Sequence, residues 1–155
     1  DAYKDAGWML ATAESCTGGL IAALLTEIPG SSAVVERGFV TYTNTAKQEM
    51  LGVPGATLAE HGAVSAPVAK AMADGALARA PVQAAVAVTG VAGPGGGTRD
   101  KPVGRVEFAL ALRDRETWAI RHDLTGDRGR IRLTSVAVAL DLFQSALGHN
   151  RPAQS

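Results

Sequence analysis

The chain has 155 residues, 46% hydrophobic and 19% charged, enough to bury a core in one domain over residues 1–155 and too apolar for disorder. Fifteen basic and fifteen acidic residues cancel, which gives no electrostatic case for nucleic acid or a membrane surface as a partner. The single cysteine, Cys16, excludes an internal disulfide framework and suits a reducing cytoplasm, the expected location.

No apolar run approaches the roughly 18–20 residues of a membrane span, and the N-terminus lacks the charged and apolar regions of a secretory signal. The first residue is Asp1 and not Met, which leaves a longer parent chain open.

In chain order, residues 1–7 read as the end of a helix closed by Gly7. Residues 8–13 are short and apolar, the size of a buried strand. Leu20, Ile21, Leu24, Leu25 and Ile28 then recur at helical spacing over residues 18–28, and Pro29-Gly30 stops them. Residues 34–43 are rich in β-branched and aromatic side chains and predict a strand. Asn44 or Thr45 is placed to cap a short helix over 46–51, ended by Gly52 and the Pro54-Gly55 turn, with one more helical turn at 58–61. Ser65 is a good N-cap with Pro67 in the first turn, and the pattern Val68, Met72, Ala76, Leu77 runs to Ala80.

Residues 82–88 are almost wholly apolar, as in a central strand covered on both faces. A glycine-rich loop, 89–97, continues to Pro102. Val106, Phe108, Leu110 and Leu112 then alternate with Arg105 and Glu107, and Trp118 and Ile120 alternate with Arg121 and Asp123: a hairpin with one wetter face. Gly126-Asp127-Arg128 leads into a last helix with a stripe of Leu133, Val136, Ala137, Leu140, Phe143 and Leu147, and 149–155 reads as a frayed tail. Strand–helix units, a hairpin and a closing helix predict one mixed sheet with helices packed on it.

Three loops fall at strand ends, where open α/β sheets place their sites. In the first, Glu14-Ser-Cys-Thr-Gly-Gly19, small and hydroxyl residues precede a helix whose N-terminus favours a phosphate or a developing oxyanion. Ser15 is a nucleophile candidate there, while Ser15 or Thr17 can equally serve as a helix cap. Cys16 is a rival nucleophile without a histidine partner. Tyr42, Asn44 and Lys47 form the second group. A lysine acts as a base only when burial or neighbouring charge lowers its pKa, and Ser–Lys pairs are a known way to activate a hydroxyl without histidine. The glycine loop fits neither a P-loop nor a dinucleotide fingerprint; it offers backbone that a ligand can approach closely, or a plain surface connection. His61, His122 and His149 are scattered, so no metal site is expected.

Glu14-Ser-Cys-Thr-Gly-Gly19, Tyr42-x-Asn44-x-x-Lys47, His61-Gly-Ala-Val-Ser65, Thr89-Gly-Val-Ala-Gly-Pro-Gly-Gly-Gly97, Lys101-Pro-Val-Gly104 and Gly126-Asp-Arg128 occur in that order. This set, over about residues 5–147, resembles the CinA C-terminal domain family, whose characterised enzymes are nicotinamide mononucleotide deamidases of the PncC type. The resemblance implies a three-layer α/β/α sandwich and a domain often fused to an N-terminal molybdopterin-binding-like domain, absent from this sequence. It makes Ser15 the nucleophile and Lys47 its activator, with Tyr42, Thr89 and Arg128 lining the site and Arg130 a close alternative to Arg128.

On that reading Ser15 attacks the substrate carboxamide, and amides of Thr17, Gly18 and Gly19 hold the oxyanion. Asn44, Arg128 and the loop glycines Gly90, Gly93, Gly95 and Gly96, beside Thr89, bind the nucleotide. No metal or organic cofactor is implied, and a homodimer through surplus apolar residues of the last helix is expected. A non-catalytic nucleotide-binding or protein-interaction module, linked to competence or DNA damage, is the alternative; a phosphohydrolase lacks its P-loop and metal carboxylates.

Overall fold

The apolar run before the serine-bearing turn forms β1 (Leu10–Glu14), buried along its whole length. A short helix, α1 (Ala2–Asp5), precedes it and α2 (Leu20–Thr26) follows it. Then come β2 (Val35–Val40), α3 (Asn44–Leu51), α4 (Gly55–His61), α5 (Ala66–Arg79), β3 (Ala84–Gly90), β4 (Arg105–Leu112), β5 (Trp118–Asp123) and α6 (Arg128–Gly148). The computed structural model describes residues 1–148; the expected tail at 149–155 lies outside the described residues.

The five strands lie in the order β2-β1-β3-β4-β5. β1 runs parallel to both β2 and β3, while β3–β4 and β4–β5 are antiparallel. The chain leaves β1 for β2 on one side and returns to β3 on the other. Connections therefore diverge at the carboxyl ends of β1 and β3, which opens a crevice there.

Side-chain alternation along β3 and β4 builds two cores. Val86, Val88, Val106, Phe108 and Leu110 pack with Tyr3 of α1, Ile21 of α2, and Ile131, Val136, Phe143 and Ala146 of α6. On the other face Ala85, Ala87, Ala109 and Ala111 meet Leu51 of α3, Leu58 of α4, and Val68, Met72 and Ala76 of α5. The result is the expected three-layer α/β/α sandwich. Alanines let α5 approach the sheet closely, and Gly75 lets it approach α3: a Cβ there would stand 2.1 Å from the Leu51 carbonyl oxygen.

That alanine face corrects the expected hairpin. β4 has no wet side, because α5 covers Ala109 and Ala111 and Glu107 is buried, accepting from Arg121 Nε at 2.6 Å. Trp118 and Ile120 do share a face with their partners Leu110 and Phe108, yet they stay 37% and 38% exposed. β5 is an edge strand, and α6 packs over β3 and β4 instead.

The buried stripe of α6 is Ile131, Ser135, Val136, Ala139, Leu142, Phe143 and Ala146; Leu133, Ala137 and Leu140, expected inside, are exposed. By length and a mean hydropathy of 1.2, α6 is the one helix among the described residues comparable to a membrane span. The cap of α3 is Thr43, whose hydroxyl accepts from the Ala46 amide, and not Asn44 or Thr45. Gly55 opens α4 instead of a turn before it, whereas Ser65 caps α5 as expected, with Pro67 in the first turn.

Candidate active site

Ser15 is the first residue beyond β1. Its amide donates to Val88 O of β3 at 2.9 Å, extending the ladder by one step, and its carbonyl accepts from Gly18 N at 3.0 Å. Gly18 and Gly19 both have positive φ, 59° and 100°, and turn the chain into α2. Here the structure corrects an expectation. The negative charge at the α2 N-terminus belongs to Glu14, the last residue of β1 and fully buried. Its carboxylate accepts from Thr12 Oγ1 (3.1 Å), Thr17 Oγ1 (2.8 Å) and the amides of Ile21 (2.9 Å) and Ala22 (3.0 Å). Those are helix-end donors that otherwise lack partners, so the end is filled from within. With Gly18 N bonded to Ser15 O, the oxyanion role expected of the 17–19 amides loses a donor and its helix end.

Lys47 enters from α3, and Thr43 at the helix start fixes where it begins. Its side chain is extended into the protein: the residue is 1% exposed, among the largest fully buried side chains of the chain. Nζ lies 2.9 Å from Ser15 Oγ, 2.9 Å from Thr41 O and 3.4 Å from Tyr42 O. Burial lowers its pKa below the ordinary lysine value, and the neighbouring Cys16 pulls weakly the other way. A neutral amine has two N–H bonds for the two carbonyls and one lone pair, and the remaining direction is that of Ser15 Oγ. The geometry is that of a base poised on a hydroxyl.

Cys16 lines the same cleft, but burial pushes its thiol up to about 11, so it is un-ionised at neutral pH. Lys47 Nζ stands at hydrogen-bond distance from Ser15 Oγ, which favours Ser15 over Cys16 as the candidate nucleophile.

The cleft, of about 270 Å³, is lined by Ser15, Cys16, Tyr42, Lys47 and Arg128, with Ala63 and Val64 before α5 and Thr89, Gly90, Gly93, Gly95 and Gly96 around the glycine loop. Arg128, in the first turn of α6, donates to Gly93 O at 2.7 Å and to Tyr42 Oη at 3.0 Å. Thr89 Oγ1 donates to Ala63 O at 3.0 Å and ties the 63–64 segment to the end of β3. A larger groove of about 510 Å³ between α1, α2 and α6 is walled mainly by Leu10, Leu25, Ile28, Val35, Phe143 and Leu147. Its polar residues, Asp1, Lys4, Ser31 and Gln144, include no buried lysine set against a serine, so the smaller cleft is the candidate active site.

Most of the sequence candidates therefore converge: Ser15, Lys47, Tyr42, Thr89, Arg128 and the four loop glycines share one cavity. Thr17, Gly18, Gly19 and Asn44 do not line it. Thr17 is buried on Glu14 and Asn44 is exposed at the start of α3. Arg130 is also outside; its amide donates to Asp127 Oδ1. Sequence reasoning missed Glu14, Ala63, Val64 and Arg132. Arg132 donates to the carbonyls of Cys16 (3.2 Å) and Thr17 (3.0 Å), contacts that leave no signature at the residues receiving them. Among the described residues no group of three or more His, Cys, Asp or Glu is placed to hold a metal ion.

An open, doubly covered α/β sheet with a buried lysine set against a serine at its switch-point crevice is the class that fold and site define. The family model of the CinA C-terminal domain matches residues 1–147, and the chain belongs to that family. It is 52% identical over 147 residues to the Escherichia coli nicotinamide-nucleotide amidohydrolase PncC, covering 94% of this chain and 89% of that protein. It is 54% identical over 142 residues to a CinA-like protein of Mycobacterium sp. strain JLS, covering 92% of this chain; it spans 34% of the length of that relative. Among solved structures, the competence/damage inducible protein CihA of Agrobacterium tumefaciens superposes with a TM-score of 0.90 at 53% identity, over 94% of this chain and 88% of that one. The competence damage-inducible protein A of Klebsiella pneumoniae gives 0.92 at 39% identity, over 97% and 92%.

Proposed function

We propose that this chain is an amidohydrolase that converts nicotinamide mononucleotide and water to nicotinate mononucleotide and ammonia. The observation that carries the reading is the buried Lys47 Nζ at 2.9 Å from Ser15 Oγ. The high identity to a relative named nicotinamide-nucleotide amidohydrolase supports the substrate.

In the first step Lys47 Nζ accepts the Ser15 proton as Oγ attacks the carboxamide carbon. The tetrahedral intermediate collapses, the C–N bond breaks, and Lys47 returns the proton to the departing nitrogen, which leaves as ammonia. Water, activated by the again neutral Lys47, then cleaves the Ser15 ester and leaves a carboxylate on the ring. No step requires a metal or organic cofactor.

At the mouth of the cleft Arg128 is already held by Gly93 O and Tyr42 Oη, so its fork is pre-oriented for phosphate oxygens. Tyr42 accepts from Arg128 and keeps its own O–H for the substrate. Gly90, Gly93, Gly95 and Gly96 let a ribose phosphate come close to the backbone. The volume of about 270 Å³ lies just below the usual range of roughly 300–1,000 Å³ for small-molecule sites and suits a mononucleotide better than a dinucleotide.

We place the enzyme in the cytoplasm, in line with its one buried cysteine. We also infer a homodimer, with the exposed Leu133 and Leu140 of α6 as the apolar surface available to a second copy. The test of function is ammonia release from nicotinamide mononucleotide, nicotinamide and nicotinamide riboside. Turnover of the mononucleotide well above the other two is expected; equal turnover, or none, would overturn the substrate assignment.

A further inference from the structure

One turn of α6 holds three of the segments that line the cleft. Arg128 and Arg132 are four residues apart, hence on one helix face. Arg128 reaches Tyr42, beyond β2, and Gly93 in the glycine loop. Arg132 reaches the serine-bearing loop: Nε donates to Cys16 O at 3.2 Å and Nη2 to Thr17 O at 3.0 Å. We propose that Arg132 is a positioning residue for the nucleophile, acting on the reaction through the Cys16 and Thr17 peptide units without touching substrate. This assignment rests on the amidohydrolase reading above.

Ser15 is anchored upstream through its amide on Val88 O and downstream through its carbonyl on Gly18 N. Between those anchors the Cys16 carbonyl takes its hydrogen bond from Arg132 Nε, and the Thr17 carbonyl is shared between Arg132 and the Leu20 amide. A peptide unit is planar, so fixing the Cys16 oxygen also fixes the direction of the Thr17 N–H. Holding both carbonyls from outside the loop fixes the turn on which Ser15 stands, opposite Lys47. A neutral side chain of similar size would leave β1, α2 and the Glu14 network in place and let the turn shift. Displacement of a reacting atom by about 1 Å can cost on the order of 100-fold in rate.

The test uses Arg132→Met and Arg132→Ala beside the parent enzyme, with ammonia release read as kcat and KM and thermal unfolding used to count folded protein. The expected result is a kcat lower on the order of 100-fold per folded molecule and a KM close to the parent's. Millimolar guanidinium should restore part of the lost kcat in Arg132→Ala, because a free cation can occupy the vacated space against the same carbonyls. An unchanged kcat, a rise in KM alone, or a loss explained entirely by unfolded protein would overturn the assignment. If the parent itself releases no ammonia, the amidohydrolase reading fails first and the positioning role falls with it. If both variants fail to fold, Arg132→Lys decides: it keeps a charge but not the two-pronged fork, and parental kcat in it would refute the role.

Discussion

Replacing Lys47 by Met removes the amine while leaving most of its buried volume filled. In the parent, Nζ sits 2.9 Å from Ser15 Oγ with two carbonyls arranged around it. In the proposed mechanism, removing that base deprives proton transfer in both halves of the reaction of its partner. General-base catalysis is worth roughly 10²–10⁴-fold, about 2.7–5.4 kcal/mol of transition-state stabilisation. Ammonia release by Lys47→Met should fall by that factor, and the basic rise in the parent's pH–kcat/KM profile should disappear. Stability supplies a second reading. Burial lowers the folded-state pKa of Lys47 below its ordinary value of 10.5. Below the folded pKa both states hold the proton, and the buried ammonium costs its full desolvation. Between the folded and unfolded values only the unfolded chain is protonated, so stability rises with pH, by at most about 1.4 kcal/mol per unit. Urea denaturation across pH should show the parent gaining on Lys47→Met up to pH 10.5 and no further. A variant keeping more than about a tenth of the activity would refute Lys47 as the base, and a stability difference flat in pH would refute its lowered pKa.

Three further outcomes follow from the same geometry. Glu14→Gln turns an amide NH₂ toward donors that the carboxylate now accepts from, and should cost about 2–4 kcal/mol in urea denaturation; a loss below ~0.5 kcal/mol would contradict the internal-cap reading. Arg128→Met should raise KM for the mononucleotide about 10–100-fold with little change for nicotinamide riboside, since the lost contact is charge-assisted. Alkylation of Cys16 by iodoacetamide should keep climbing to about pH 11, whereas an ordinary thiol, half-ionised near 8.5, levels off by about pH 10; a plateau by about pH 10 would contradict its burial.

What could be read in advance depended on whether a residue's partner was local. The central strand covered on both faces, the capping of α5 by Ser65 and the loops at strand ends all rest on local pattern, and each was legible. The second face of β4 was not, because alanines count weakly in an alternation that Phe108 and Leu110 dominate, yet small residues are what admit α5. The stripe of α6 was misplaced for a related reason: Leu133 and Leu140 mark an apolar side, whereas the buried side carries Ser135, Ala139 and Ala146. At the site, the burial of Lys47 has no local mark, since a lysine on a short helix ordinarily stands in solvent; the ordered family motifs pointed to it instead. Glu14 had a readable sign, a carboxylate ending an apolar strand just before a helix. Arg132 had none, since backbone carbonyls receive it whatever the side chains are.

The proposed mechanism requires that Ser15, activated by Lys47, form an ester with the substrate acyl group. It is tested most directly by rapid acid quench of the enzyme with nicotinamide mononucleotide and mass analysis of the peptide carrying Ser15, with Ser15→Ala as partner. A peptide heavier by the nicotinoyl nucleotide is expected in the parent, and neither adduct nor ammonia in a folded Ser15→Ala. Ammonia release by Ser15→Ala at the parental rate would contradict it.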